Sequence, residues 1–170
     1  AKMRNMGEAC TAANRFYVHE KVQDEFSKKL TAKMAALKMG NGLDDGVALG
    51  PLVNAEGRDK VVELVDDAVK KGAKILIGGH KGKSKGNWFE PTVLVNVDHS
   101  MAVMREESFG PIIGLMAARD DEDAVRLMND TAYGLAASLY TGSVRNAIRV
   151  SREIRAGVVT VNCFGEGDAT

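Results

Sequence analysis

The chain has 170 residues, 45% hydrophobic and 27% charged, with 18 Gly and only 3 Pro, which excludes disordered, collagen-like and coiled-coil classes. Lys plus Arg and Asp plus Glu each number 23, so the formal charge is +0, and no basic excess exists to drive binding to nucleic acid. The longest apolar runs, such as residues 75–77 and 112–118, fall far short of the roughly 20 residues that cross a bilayer, so no membrane partner is expected.

In chain order, residues 15–18 are β-rich, and Val22, Phe26, Leu30, Met34 and Leu37 then recur at helical spacing, ending near Gly40. A second helix is predicted from Asn54, a suitable N-cap, through Val61, Leu64, Val65 and Ala68 to Gly72, with Lys70 and Lys71 where cations suit the dipole. A strand at 74–77 follows, then a polar, Gly-rich stretch at 81–86 that reads as an exposed loop, because a phosphate-cradling loop would need a helix directly after it. Strands at 92–97 and 111–117 precede a helix opened by Asp120 or Asp121, with Ala124, Leu127 and Met128 inward. A strand at 136–140, a helix opened by Ser143 with Ala147, Val150 and Ile154 inward and Gly157 as its stop, and a strand at 158–161 complete the pattern. Strands separated by helices predict an α/β fold with a mainly parallel sheet and helices on its faces.

Two cysteines, Cys10 and Cys163, make no disulfide framework, so a reducing compartment, the cytoplasm, is expected. The length suits one domain, spanning residues 1–170, and both ends read as cut from something longer.

Cys10 follows a glycine turn and is expected to open a short helix, whose N–H groups and dipole would favour thiolate and later hold an oxyanion. The competing reading is a small buried hydrophobe. His19, His80 and His99 are scattered and supply no paired base, and no metal-ligand spacing is present. In the run Glu106-Glu107-Ser108-Phe109-Gly110-Pro111, a carboxylate suited to a ribose diol stands beside an aromatic suited to a planar ring; the alternative is a solvated acidic turn.

These motifs resemble, in order and over essentially the whole chain, the C-terminal catalytic part of the aldehyde dehydrogenase superfamily, most nearly its succinate-semialdehyde dehydrogenases. The resemblance rests on Asn5-Met6-Gly7-Glu8-Ala9-Cys10, Asn14-Arg15, Leu49-Gly50-Pro51-Leu52, Phe89-Glu90-Pro91-Thr92-Val93, the Glu106 to Pro111 run, Tyr133-Gly134-Leu135 and residues 157–162. It implies a three-layer αβα fold, truncated, and NAD- or NADP-dependent oxidation of a small-molecule aldehyde through a Cys10 thioester. Glu107 would hold the nicotinamide ribose and Phe109 would pack beside it, while Glu106 points elsewhere.

The resemblance further places the cofactor-binding domain, the general-base glutamate and an oxyanion-hole asparagine before this chain, and a closing oligomerisation arm after it. The 170 residues alone would then have little or no dehydrogenase activity, and the parent protein would be a homo-oligomer. Arg4 resembles the arginine that binds the distal carboxylate of succinate semialdehyde, a task suited to a guanidinium fork. Ala12 stands where some relatives carry a second cysteine, so a redox-switch disulfide within that loop is not expected. The tail from Val161 to Asp168 resembles amino-aldehyde dehydrogenases instead, with Glu166 or Asp168 facing a substrate ammonium, and Cys163 reads as structural. Amino-aldehyde oxidation, or a non-catalytic module keeping the fold, are the alternatives.

Overall fold

A computed structural model describes residues 1–164, which fall into two units, residues 1–117 and the segment from Ala118 onward. In the first unit, β1 (Arg15–His19) leads into α1 (Glu20–Ala35), and α2 (Ala55–Lys70) leads into β2 (Lys74–Ile77). β3 (Thr92–Val95), α3 (Ala102–Arg105) and β4 (Ile112–Ala118) follow, and the sheet order is β1-β4-β3-β2.

β3 and β4 are parallel, with Thr92 opposite Ile112 and Val95 opposite Leu115. β2 runs antiparallel to β3 at the sheet edge, because residues 78–91 contain no helix to carry the chain across to a parallel start. Residues 82–86 of that connection form an irregular, mostly exposed loop, as expected.

Alternation along the strands builds the layers. Leu94 and Ile112 pack with Val61, Leu64, Val65 and Ala68 of α2, the four positions predicted to face inward. Val93, Ile113 and Leu115 pack with Met34 of α1 in a second cluster. The Asn54 side chain accepts from the Gly57 N–H at 2.8 Å, which fixes the start of α2 where predicted. α1 departs from expectation: it ends at Ala35, and Val22 and Phe26 of its apolar stripe are exposed, so only its C-terminal half is covered among the described residues. α3 was not predicted, since its N-terminal Ala102 N–H is capped by the Asp67 carboxylate, 2.8 Å away on α2.

The second unit holds α4 (Asp121–Asn129), β5 (Ala136–Leu139), α5 (Val144–Glu153) and β6 (Val158–Val161). β5 and β6 are parallel, joined by α5 as a crossover, over a small core of Val125, Val150 and Ile154. Val125 rather than Ala124 is buried on α4, alongside Asp123 and the expected Leu127, and Asp120 and Ser143 cap the two helices. No helix among the described residues is long and apolar enough to cross a membrane.

Candidate active site

Residues Arg4–Gly7 form one tight turn in which Asn5, Met6 and Gly7 all take positive φ, at 47°, 57° and 78°. Gly7 is required here twice over. Its φ is left-handed, and a Cβ on it would sit 2.4 Å from the Gly110 carbonyl oxygen. Cys10 comes out of this turn exposed, which removes the buried-hydrophobe reading.

The expected helix at Cys10 is absent. Residues 9–12 form a single turn closed by the Ala12 N–H on the Ala9 carbonyl at 2.9 Å. Asn14 explains the difference: its side-chain amide donates to the Ala12 carbonyl while its Oδ1 is held from across the unit, drawing the chain straight into β1. The Cys10 N–H donates to no backbone or side-chain acceptor among the described residues, so it is available to an oxyanion without help from a helix dipole.

The facing turn carries the acidic run. Glu106 is exposed, as expected, while Glu107 is half-buried, and its carbonyl accepts from Lys60 Nζ of α2 at 2.8 Å. Phe109 holds φ at 41°, a conformation an aromatic residue rarely adopts, and the residue is 37% exposed. It lines a cleft of about 670 Å³ shared with Glu8, Asn54, Gly57, Lys60 and Glu63. Glu8 is held in place by the Val53 N–H, 3.2 Å from each carboxylate oxygen. An aromatic face, a lysine and carboxylates around one cleft form a donor set that fits a planar ring joined to a ribose. Of the predicted residues, Phe109 lines this cleft; Cys10, Arg4 and the Glu107 side chain do not.

Lys2, Asn14 and Ser108 escaped the sequence reading. Lys2 is 3% exposed, and its Nζ donates to Ser108 Oγ at 2.8 Å and to Asn14 Oδ1 at 3.3 Å. Ser108 in turn donates to Asn14 Oδ1 from its N–H at 3.1 Å and its Oγ at 2.8 Å. Burial lowers the Lys2 ammonium to about 8 from 10.5, against the opposing pull of Glu107. A lysine depressed in the folded state binds more protons unfolded, so its burial penalty is present below pH 8 and is relieved as pH rises from 8 to 10.5. The stability of the wild type relative to Lys2→Met should therefore rise over that window by roughly 3 kcal/mol, measured by urea unfolding; a flat difference would contradict the burial of the charge.

Arg4 is exposed, and no hydrogen bond or ion pair holds its guanidinium among the described residues. His19 caps α1, His80 lies 3.5 Å from Glu90, and His99 bonds the Tyr17 hydroxyl, so each histidine is engaged away from Cys10. Cys163 is exposed just past β6, rather than packed as a structural cysteine would be. Glu166 and Asp168 lie outside the described residues.

The whole chain, residues 1–170, matches the aldehyde dehydrogenase family, and the protein belongs to it. It is 43% identical over 162 residues, 95% of this chain and 33% of the relative, to a glutarate-semialdehyde dehydrogenase of Pseudomonas putida. It is 40% identical to the NADP(+) succinate-semialdehyde dehydrogenase of Escherichia coli, covering 95% of this chain and 34% of that protein. An aminoacetaldehyde dehydrogenase of Pseudomonas aeruginosa is 45% identical over 98% of this chain and 33% of its own. Among solved structures, a succinate-semialdehyde dehydrogenase from Burkholderia pseudomallei superposes with a TM-score of 0.95 at 42% identity, over 96% of this chain and 34% of that one. The α/β fold with a mostly parallel sheet is thus that of aldehyde dehydrogenase structures, and the chain spans about a third of the length of the relatives it matches.

Proposed function

We propose that this chain supplies the nucleophile and one wall of the cofactor cleft in an NAD(P)-dependent oxidation of a small charged aldehyde, with succinate semialdehyde as substrate. The observation that carries the reading is Cys10, exposed on a turn that is pinned to the turn bearing Glu107 and Phe109. Cys10 Sγ, as thiolate, adds to the aldehyde carbon, and the free Cys10 N–H donates a hydrogen bond to the developing oxyanion. A nicotinamide nucleotide, when bound, supplies the acceptor for the hydride that leaves the same carbon. What remains on Sγ is a thioester; water adds to its carbonyl as the general base takes a proton, the C–S bond breaks, and carboxylate and thiolate are released with the second proton passing to solvent. Glu107 would hold the ribose and Phe109 would flank the ring. We place the dinucleotide-binding region and the general base in the part of the relatives that this chain does not span, and we take the active protein to be a cytoplasmic homo-oligomer.

Arg4 would anchor the carboxylate at the far end of the substrate. Its exposure and freedom support that role, since an arginine already committed to an ion pair would have to break it to bind a ligand. In the protein carrying this chain with its cofactor-binding region, Arg4→Ala is expected to raise KM for succinate semialdehyde by about 10- to 100-fold, the worth of a charge-assisted hydrogen-bond pair, with kcat little changed. The second reading, oxidation of an amino-aldehyde, is favoured by the 45% identity to the aminoacetaldehyde dehydrogenase. Under it 4-aminobutyraldehyde would be the better substrate and Arg4→Ala would be silent.

A further inference from the structure

We propose that Lys2, Asn14 and Ser108 form a positioning unit that holds the Cys10 turn in register with the Glu107 and Phe109 turn, and so sets the geometry between nucleophile and cofactor. This inference rests on the function proposed above.

Asn14 is four residues beyond Cys10, and Ser108 stands between Glu107 and Phe109, so the bonds at 2.8 and 3.1 Å join the two chain segments that bear the side chains assigned to the chemistry. Lys2 approaches from the far side of the cysteine turn. Its Cε would lie 3.0 Å from a Cβ on Gly7, so its stem runs beneath the left-handed turn before its Nζ reaches both partners.

A buried ammonium whose two hydrogen-bond acceptors are both neutral, with the Glu107 carboxylate acting on it only through space, is a costly way to join two loops, and an apolar side chain of similar length would fill the same space at less cost. What the ammonium adds is direction: two donors aimed at fixed acceptors, locking the rotamers of Asn14 and Ser108.

Asn5 and Met6 on one turn, and Phe109 on the other, all hold positive φ, and such residues persist only where their surroundings over-determine them. The network, together with Lys60 on the Glu107 carbonyl, is what over-determines these two turns. None of the three residues lines the cleft or is required to touch the aldehyde, so their effect should fall on alignment and not on substrate affinity.

The test compares Ser108→Ala, Ser108→Thr, Lys2→Met and the Lys2→Met/Ser108→Ala pair in the protein carrying the cofactor-binding region, with thermal unfolding of each. Ser108→Ala and Lys2→Met should each lower kcat by about tenfold or more with KM for the aldehyde within about twofold of wild type. Ser108→Thr, which keeps the hydroxyl, should recover most of the rate, and the pair should be no slower than the worse single variant, because all act through one unit. Three results would overturn the inference: Ser108→Ala within about twofold of the wild-type kcat, Ser108→Thr as slow as Ser108→Ala, or losses that track the unfolded fraction alone. Cys10→Ser measured alongside separates this inference from the reading beneath it. If Cys10→Ser is inactive while the network variants are silent, the positioning unit alone is wrong; if Cys10→Ser keeps full activity, the nucleophile assignment fails.

Discussion

Replacing Cys10 by alanine is expected to lower aldehyde turnover by about 10⁴-fold or more while leaving the fold intact, because removing a covalent nucleophile removes the reaction path and not merely one contact. The fold should tolerate the change because Cys10 is exposed and its side chain packs no core cluster, so thermal unfolding should be unchanged. Cys163→Ala serves as the control: it is the other exposed thiol, lies past β6 in the second unit, and has no assigned role. Turnover that survives Cys10→Ala, or that disappears in Cys163→Ala, would remove the catalytic assignment.

The second large effect is expected at Gly7, through shape alone. Gly7→Ala places a methyl group 2.4 Å from the Gly110 carbonyl oxygen in a residue held at φ 78°, so either the left-handed turn unwinds or the Phe109 turn is pushed away. The left-handed penalty and the overpacking together should destabilise by roughly 2–5 kcal/mol. Activity should fall further than stability, because a displacement of about 1 Å between reacting groups can cost about 100-fold in rate. Denaturant midpoints and kcat measured on the same preparation would check both halves. A Gly7→Ala protein with native stability and native kcat would show that the two turns do not need this approach.

Gly7 also shows where the sequence could be read and where it could not. Elements set by local rules were legible: Asn54 capped α2, Val61, Leu64, Val65 and Ala68 faced inward, and Asp120 and Ser143 opened their helices. The strands at 74–77 and 158–161 also lay where alternation and flanking helices put them. Features set by partners distant in the chain were not legible. The turn after Cys10 reads as a helix start until Asn14 is seen holding Ser108, 94 residues away. α3 depends on Asp67 of another helix for its cap, and Lys2 looks like an ordinary surface lysine until its Nζ is found buried against Ser108.

The site divides in the same way. Cys10, Arg4, Glu107 and Phe109 could be named from motif order, and the exposure of Glu106 followed from its place beside Glu107 on the chain. The left-handed backbone of Phe109 and the Lys60 bond to the Glu107 carbonyl could not be foreseen; the bond joins residues 47 apart in the chain.

The proposed mechanism attaches the aldehyde carbon covalently to Cys10 during oxidation. It is tested most directly by acid-quenching the turning-over protein with its aldehyde and nicotinamide cofactor, and determining by peptide mass spectrometry which residue carries the acyl group. A succinyl-sized thioester is expected on the peptide containing Cys10 and none on the peptide containing Cys163. Turnover with no adduct on Cys10, or an adduct on Cys163 instead, would contradict it.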